Sequence, residues 1–176
     1  MNDNYPKNYT VIDTETTGFS YRNSELLELS AIKVRKDKIV DTFSMLVKPK
    51  LNIPYHITKL TGIDDDMVKD ALDIEDVIIK YIEFIGDDIV VGHNVIFDIN
   101  FINENTTKTL GMLFNNEYVD TLSMSRMIWF NCNSHKLTDL IDRCNLDGKQ
   151  EHRGLSDCMY TYQAYLYMKN LLKKAK

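Results

Sequence analysis

The sequence predicts an α/β fold, a mixed β-sheet flanked by α-helices. Strand-like segments come first, and short strands alternate with helical segments afterwards, which is the pattern of a layered sheet-and-helix domain. The chain has 176 residues, enough to bury a real core. No internal repeat, low-complexity tract or Pro/Gly-rich linker interrupts it, so residues 1–176 read as a single domain with its core at about 8–173.

Each element has a local reason. Tyr9, Thr10, Val11 and Ile12 are aromatic or β-branched and predict a strand over 8–14. Further strands are expected over 26–35 and 39–47, joined into a hairpin by the turn Lys36-Asp37-Lys38. Helices follow near 64–70 and 74–85. Asp64, Asp65 and Asp66 read as an N-cap with a first-turn cluster, not as a metal site. Asp88-Ile89-Val90-Val91 is a short strand. From residue 95 the spacing of Ile99 with Ile102, and of Phe97 with Phe101, is helical. Tyr118-Val119 makes another short strand, leading into a helix at 121–130 that Asp120 caps. The last helices fall near 136–144 and 154–173. On the final one, Tyr160, Tyr162, Tyr165 and Tyr167 are expected to pack, and Lys169, Lys173, Lys174 and Lys176 to form a solvated basic end.

Composition excludes several classes. The net charge is −5, with a pI near 5.3, which argues against a protein that grips long duplex DNA through a basic face. No segment has the length and apolarity of a membrane span. Met1 to Lys7 is polar and lacks the apolar core of a signal peptide. Cys132, Cys144 and Cys158 show neither a C-x-x-C pair nor zinc spacing, and reduced thiols are expected. Together these features place the chain in the cytoplasm. His56 and His135 have no carboxylate partner in sequence and read as surface or core-edge residues.

The chemistry-bearing residues lie in three blocks. The first is Asp13-Thr14-Glu15-Thr16-Thr17-Gly18. Strand side chains alternate faces, so Asp13 and Glu15 point the same way. Their mutual repulsion calls for a cation, and hard carboxylate oxygens suit magnesium or manganese. A solvated strand face carries the same Asp-x-Glu pattern. The second block, Gly92-His93-Asn94-Val95-Ile96-Phe97-Asp98, puts Asp98 near a helix start, where it could equally serve only the dipole. The third is His152-Arg153-Gly154-Leu155-Ser156-Asp157. Five residues on one helix would turn His152 and Asp157 apart by about 500°. The pair therefore makes sense with His152 in a loop that Gly154 loosens, and Asp157 in the early turns of the helix. A histidine so placed can act as a base near neutral pH.

Taken together, the blocks resemble the DEDDh motifs of the DnaQ-like 3′→5′ exonucleases, an RNase H-like family. Asp13 to Gly18 matches Asp-x-Glu-Thr-Thr-Gly, His93 to Asp98 matches His-Asn-x-x-Phe-Asp, and His152 with Asp157 matches His-x-x-x-x-Asp. Leu60-Thr61-Gly62-Ile63 is similar to the family's Leu-Thr-Gly-Ile loop, and Ser134 to Leu140 to its short helix before the third motif. The likeness runs over roughly residues 8–170. Within the family it looks most like the epsilon proofreading subunit of bacterial DNA polymerase III and the PolC exonuclease domain.

The resemblance implies a metal-dependent 3′→5′ exonuclease that releases nucleoside 5′-monophosphates from single-stranded DNA or frayed 3′ ends. It implies two divalent cations, Mg²⁺ or Mn²⁺, held by Asp13, Glu15, Asp98 and Asp157, with His152 as general base. It implies that backbone around Thr16, Thr17 and Gly18 cradles the terminal nucleotide, and that Phe97, Leu60 and Thr61 meet the last base. A DNA polymerase is a partner the resemblance suggests. Relative to the family, Thr61 stands where histidine is frequent, Val95 where alanine is common and Gly154 where alanine is usual. An RNA-trimming exonuclease of the same superfamily, and a non-catalytic binding or scaffold subunit, are the alternatives.

The acidic charge accords with a metal-bound nuclease. Without the four charges of Asp13, Glu15, Asp98 and Asp157, the net charge of −5 becomes −1. Two divalent cations bound at that spot would bring about four positive charges and offset those of the carboxylates, so substrate binding is expected to depend on metal and to favour strand ends.

Overall fold

A computed structural model describes residues 5–174. Met1 to Asn4 of the polar N-terminus, and Lys176 of the basic end, lie outside the described residues. Five strands form one sheet in the order β3-β2-β1-β4-β5: β1 (Tyr9–Thr16), β2 (Leu26–Arg35), β3 (Lys38–Leu46), β4 (Val90–Gly92) and β5 (Tyr118–Asp120). β1 pairs antiparallel with β2, and β2 with β3; β1 with β4 and β4 with β5 are parallel. This is the mixed, helix-flanked sheet of the RNase H-like fold. The β2–β3 hairpin turns on Lys36 and Asp37, both with positive φ, as a two-residue loop between twisted strands demands.

Seven helices are seen among the described residues: α1 (Tyr55–Thr61), α2 (Asp65–Val68), α3 (Ile74–Ile85), α4 (Ile96–Leu110), α5 (Thr121–Ile128), α6 (Leu137–Arg143) and α7 (Gly154–Lys174). Asp64 caps α2 by accepting from the Met67 amide, and Asp120 caps α5 by accepting from the Leu122 and Ser123 amides, as their sequence positions predict. α2 is shorter than the expected 64–70. The segment expected as a Leu60-Thr61 loop is instead the end of α1, which terminates at Gly62 in the left-handed conformation. The signal for α1 is weak because its N-cap is Pro54, which offers no side-chain cap, and Ile57, Thr58 and Thr61 are β-branched.

Alternation along β1 builds two cores. Tyr9 and Val11 pack with Ile32, Val34, Met124, Leu140, Cys158, Tyr165 and Met168 under α7. Ile12 packs on the opposite face with Leu29, Val77, Tyr81, Val95 and Phe101 under α3 and α4. The tyrosines of α7 do pack: Tyr165 stacks edge-on against Tyr9 at 4.9 Å, and the Tyr162 hydroxyl donates to the Asp37 carbonyl. Lys169 departs from the expected solvated end. It is 1% exposed, and its ammonium donates to Asp37 Oδ1 at 2.6 Å and to the Pro6 carbonyl at 2.8 Å. A charge buried this way is tolerated because it is paired and hydrogen-bonded. All three cysteines are free thiols.

Gly154 also differs from expectation. It does not loosen the histidine loop but is the first residue of α7, pressed against β2. A Cβ placed there would lie 2.7 Å from Ser30 Cβ and 2.5 Å from Ser30 Oγ. Absence of a side chain lets the helix reach the sheet at the point where the catalytic motifs converge. Gly154→Ala is expected to destabilise the chain by about 1–3 kcal/mol, measured by urea unfolding. Adding Ser30→Gly should recover part of that loss, and a single variant as stable as the parent would contradict the close approach.

Candidate active site

The parallel strands β1 and β4 end at one edge of the sheet, and the three sequence blocks meet there. Asp13 and Glu15 share the face of β1 that lies under α7, and Asp157, in the first turn of α7, comes down onto them. One ligand oxygen from each of Asp13, Glu15 and Asp157 lies within 4.8 Å of the others. Asp98 reaches the same edge from the other face, in the first turn of α4. It is buried and accepts a 2.7 Å hydrogen bond from the Thr14 hydroxyl, so the residue between the two acids of the first motif positions the acid of the second.

His152 occupies the bend before α7 with φ of 51°, a left-handed conformation rare for a non-glycine residue. It is partly buried and stands outside the three-carboxylate cluster, in the loop five residues before Asp157. The second histidine of the motifs, His93, has another place. Its Nδ1 lies 3.0 Å from the Thr121 hydroxyl, tying β4 to α5, and burial holds its imidazole below the usual range.

Burial dominates the electrostatics of these carboxyls, and crowding of like charges adds to it at Asp13 and Glu15. Loss of solvent, followed by the charges of Asp98, Glu15, Asp157 and Glu28, drives the Asp13 carboxyl well above the ordinary carboxylate range. Burial first, then Asp157 and Glu28, pushes Glu15 up to about 8. Burial raises Asp98 to about 7 against the opposing Thr14 hydrogen bond, and it raises Asp157 against the hydrogen bond from Gln150. Asp157 uses Oδ2 for that bond, 2.6 Å from Gln150 Nε2, while its buried Oδ1 has no protein partner. A buried, unpartnered carboxylate oxygen beside two others is the donor set that a hard divalent cation fits.

The residues expected to meet substrate divide by exposure. The Thr16 hydroxyl donates to the Gly18 carbonyl, and the Thr17 hydroxyl accepts from the Glu25 amide, so both hydroxyls are committed to folding the turn. Thr61 is 2% exposed and its hydroxyl donates to the Ile57 carbonyl, which removes its side chain from any ligand, whereas Leu60 is 47% exposed. Phe97 is partly buried, with its ring 5.0 Å from that of Phe101.

Two contributors lay outside the sequence motifs. Gln150 precedes the third motif by two residues, and a polar loop residue there gave no signal. Glu28, paired in register with Glu15 across β1 and β2, is a fifth carboxylate beside the four of the motifs, and it is buried. Its alternation with Ser30, Ile32 and Val34 places it on the α7 face of β2, and a buried acid on a central strand was a sequence-level clue.

A family model described as exonuclease (RNase T) matches residues 10–165. The PolC-type DNA polymerase III of Caldanaerobacter subterraneus subsp. tengcongensis is 39% identical over 166 residues, covering 94% of this chain and 12% of that protein. The DNA polymerase III subunit epsilon of Aquifex aeolicus is 37% identical over 158 residues, covering 90% of this chain and 78% of that one. The chain thus spans only about an eighth of its PolC-type relatives. Among solved structures, exonuclease X in complex with 5′ overhanging duplex DNA superposes with a TM-score of 0.75 at 27% identity, over 93% of this chain and 92% of that one. E. coli exonuclease I in complex with a 5cy-dT13 oligonucleotide gives a TM-score of 0.83 over 97% of this chain and 42% of that one; at 14% identity, this likeness concerns the fold.

The raised carboxyls have a consequence for stability. A carboxyl whose pKa is higher in the folded chain holds its proton more tightly there than when unfolded. Its contribution is fully present below its ordinary range and is lost as pH rises through the folded value, about 8 for Glu15. In EDTA the melting temperature is expected to fall between about pH 5 and pH 8 on account of this site. Saturating Mg²⁺ should raise it more at pH 8 than at pH 5, because cation and protons compete for the same oxygens. Equal Mg²⁺ shifts at the two pH values would contradict the assignment. From the matched motifs, the carboxylate cluster and these relatives together, the chain belongs to the exonuclease family, as a 3′→5′ exonuclease of the DnaQ-like, DEDDh type.

Proposed function

We propose that the protein removes nucleotides from the 3′ end of single-stranded or frayed DNA, in a proofreading or repair role, using Asp13, Glu15, Asp98, Asp157 and His152. The observation that carries this reading is the convergence of Asp13, Glu15 and Asp157 within 4.8 Å, with one buried Asp157 oxygen unpartnered. Asp13, Glu15 and Asp157 would hold one divalent cation, and Asp13 with Asp98 a second, whether Mg²⁺ or Mn²⁺. Bound there, the cations supply an acidified water and neutralise charge on the attacking and leaving oxygens.

The chain's own groups account for the remaining steps. His152 accepts a proton from the water that attacks the terminal phosphodiester. The bond from phosphorus to the O3′ of the preceding nucleotide breaks; that oxygen takes up a proton from solvent, and a nucleoside 5′-monophosphate departs. Backbone at Thr16, Thr17 and Gly18 lines the terminal nucleotide, while Leu60 and Phe97 offer apolar surface to the last base. Stacking on such surface is tolerant of sequence, as trimming one nucleotide after another requires. The polymerase names of the relatives, and the DNA in the exonuclease X structure, support DNA over RNA and a DNA polymerase as partner.

The test is digestion of 5′-labelled single-stranded DNA and matched RNA with Mg²⁺ or Mn²⁺. A ladder shortening from the 3′ end of the DNA is expected, abolished by EDTA. His152→Ala should lower the rate by about 10²–10⁴-fold while leaving substrate binding in place. Faster shortening of the RNA would overturn the substrate assignment, and intact oligonucleotides under every metal would overturn the catalytic reading.

A further inference from the structure

We infer that Glu28 and Arg153 form a clamp that positions His152 for proton transfer; the inference rests on the exonuclease reading above. Glu28 lies on β2, 3% exposed, in the face beneath α7. Its Oε2 accepts from Arg153 Nε and from the Gly154 backbone amide, each at 3.2 Å, and its Oε1 accepts from the Ser44 hydroxyl at 2.9 Å. Both oxygens are therefore committed inside the protein. Glu28 is not among the clustered Asp13, Glu15 and Asp157 oxygens.

A buried carboxylate beside four others is costly, since each like charge raises the energy of the rest. What it secures is the backbone immediately after His152. The φ of 51° at His152 is a strained conformation that persists only where the surroundings hold it. The two residues that follow are both held by Glu28, Arg153 through its side chain and Gly154 through its amide. The Asp157 amide donates to the Arg153 carbonyl at 2.9 Å, so the residue clamped by Glu28 also begins the helix that carries Asp157. On the other side of the bend, the bond from Gln150 to Asp157 closes the loop. His152 is thus fixed between two anchors without a direct bond from either. Glu28 and Arg153 are positioning residues, and their effect on the reaction passes through His152.

The test uses the full chain with Arg153→Ala, Glu28→Gln, His152→Ala and the corresponding double variants. Arg153→Ala removes a partly exposed side chain and keeps the measurement meaningful should Glu28→Gln unfold the protein. With saturating Mg²⁺ and a 5′-labelled oligonucleotide, either substitution is expected to lower kcat by about tenfold or more, with KM changed less than about twofold. In the His152→Ala background, either should cost less than about twofold, because the group being positioned is gone. In parallel, imidazole NMR signals of the four histidines report position without any need for activity. Arg153→Ala should shift or broaden the His152 resonance and leave His56, His93 and His135 in place. An unchanged kcat, an equal loss in both backgrounds, a loss confined to KM or an unmoved His152 resonance would each overturn the clamp. An inactive parent protein would count against the exonuclease reading, and the NMR result would then decide the clamp independently.

Discussion

Repulsion between carboxylates held closer than water would allow is the constraint on which this site depends. Two oxygens of like charge a few ångströms apart, with solvent largely removed, repel by several kcal/mol at the effective dielectric of a protein surface (about 4 kcal/mol at 4 Å). The fold imposes that proximity from both faces of one strand. The period of β1 turns Asp13 and Glu15 toward α7, where Asp157 descends on them, and turns Thr14 toward α4, where its hydroxyl holds Asp98. Protons can relieve the repulsion, and so can a divalent cation. The same oxygens serve both, so the ionisation of the site, the stability of the chain and its affinity for metal are one coupled problem.

The approach of α7 to the sheet is the second determinant. A helix can seat its first turn against β2 only where a side chain is missing, and Gly154 supplies that gap opposite Ser30. Glu28 then accepts the Gly154 amide, one of the unpaired donors at a helix start, and places negative charge where the helix dipole favours it. Deeper in the same core, Cys158 and Tyr165 of α7 pack on Val11 and Tyr9 of β1, and the buried Lys169–Asp37 pair ties the helix to the hairpin turn. The orientation of one helix therefore sets where both Asp157 and the His152 bend can sit.

Much of this was legible in the sequence, and the limits have physical causes. β2 and α3 fall on the expected residues because continuous apolar or amphipathic patterning and turn chemistry agree there. The three motif blocks meet as the family resemblance implied; strand period and helix start, which are local properties, orient each acid within its own block. α1 was hidden by a proline cap and β-branched residues, whose weak propensity is overridden by packing of Ile57 with Leu27, Ile53 and Ile63. Thr61 pointed to substrate by motif but faces inward, because a side chain's facing on a short helix depends on tertiary packing. Lys169 sits in a basic run, yet its partner Asp37 is far away in sequence. Gln150 gave no signal for the same reason, and for Glu28 the strand pattern marks the face but not the role: both act through contacts with α7 that only the fold brings about.

The most direct measurement of the central claim is calorimetric titration of the metal-free protein with Mn²⁺ near pH 7, in buffers of different ionisation enthalpy, for the parent and for Asp13→Asn. The carboxylate arrangement predicts two Mn²⁺ per chain, with protons released into the buffer on binding and both signatures lost or sharply reduced in Asp13→Asn. Absence of Mn²⁺ binding by the parent, binding without proton release, or equal binding by Asp13→Asn would contradict it.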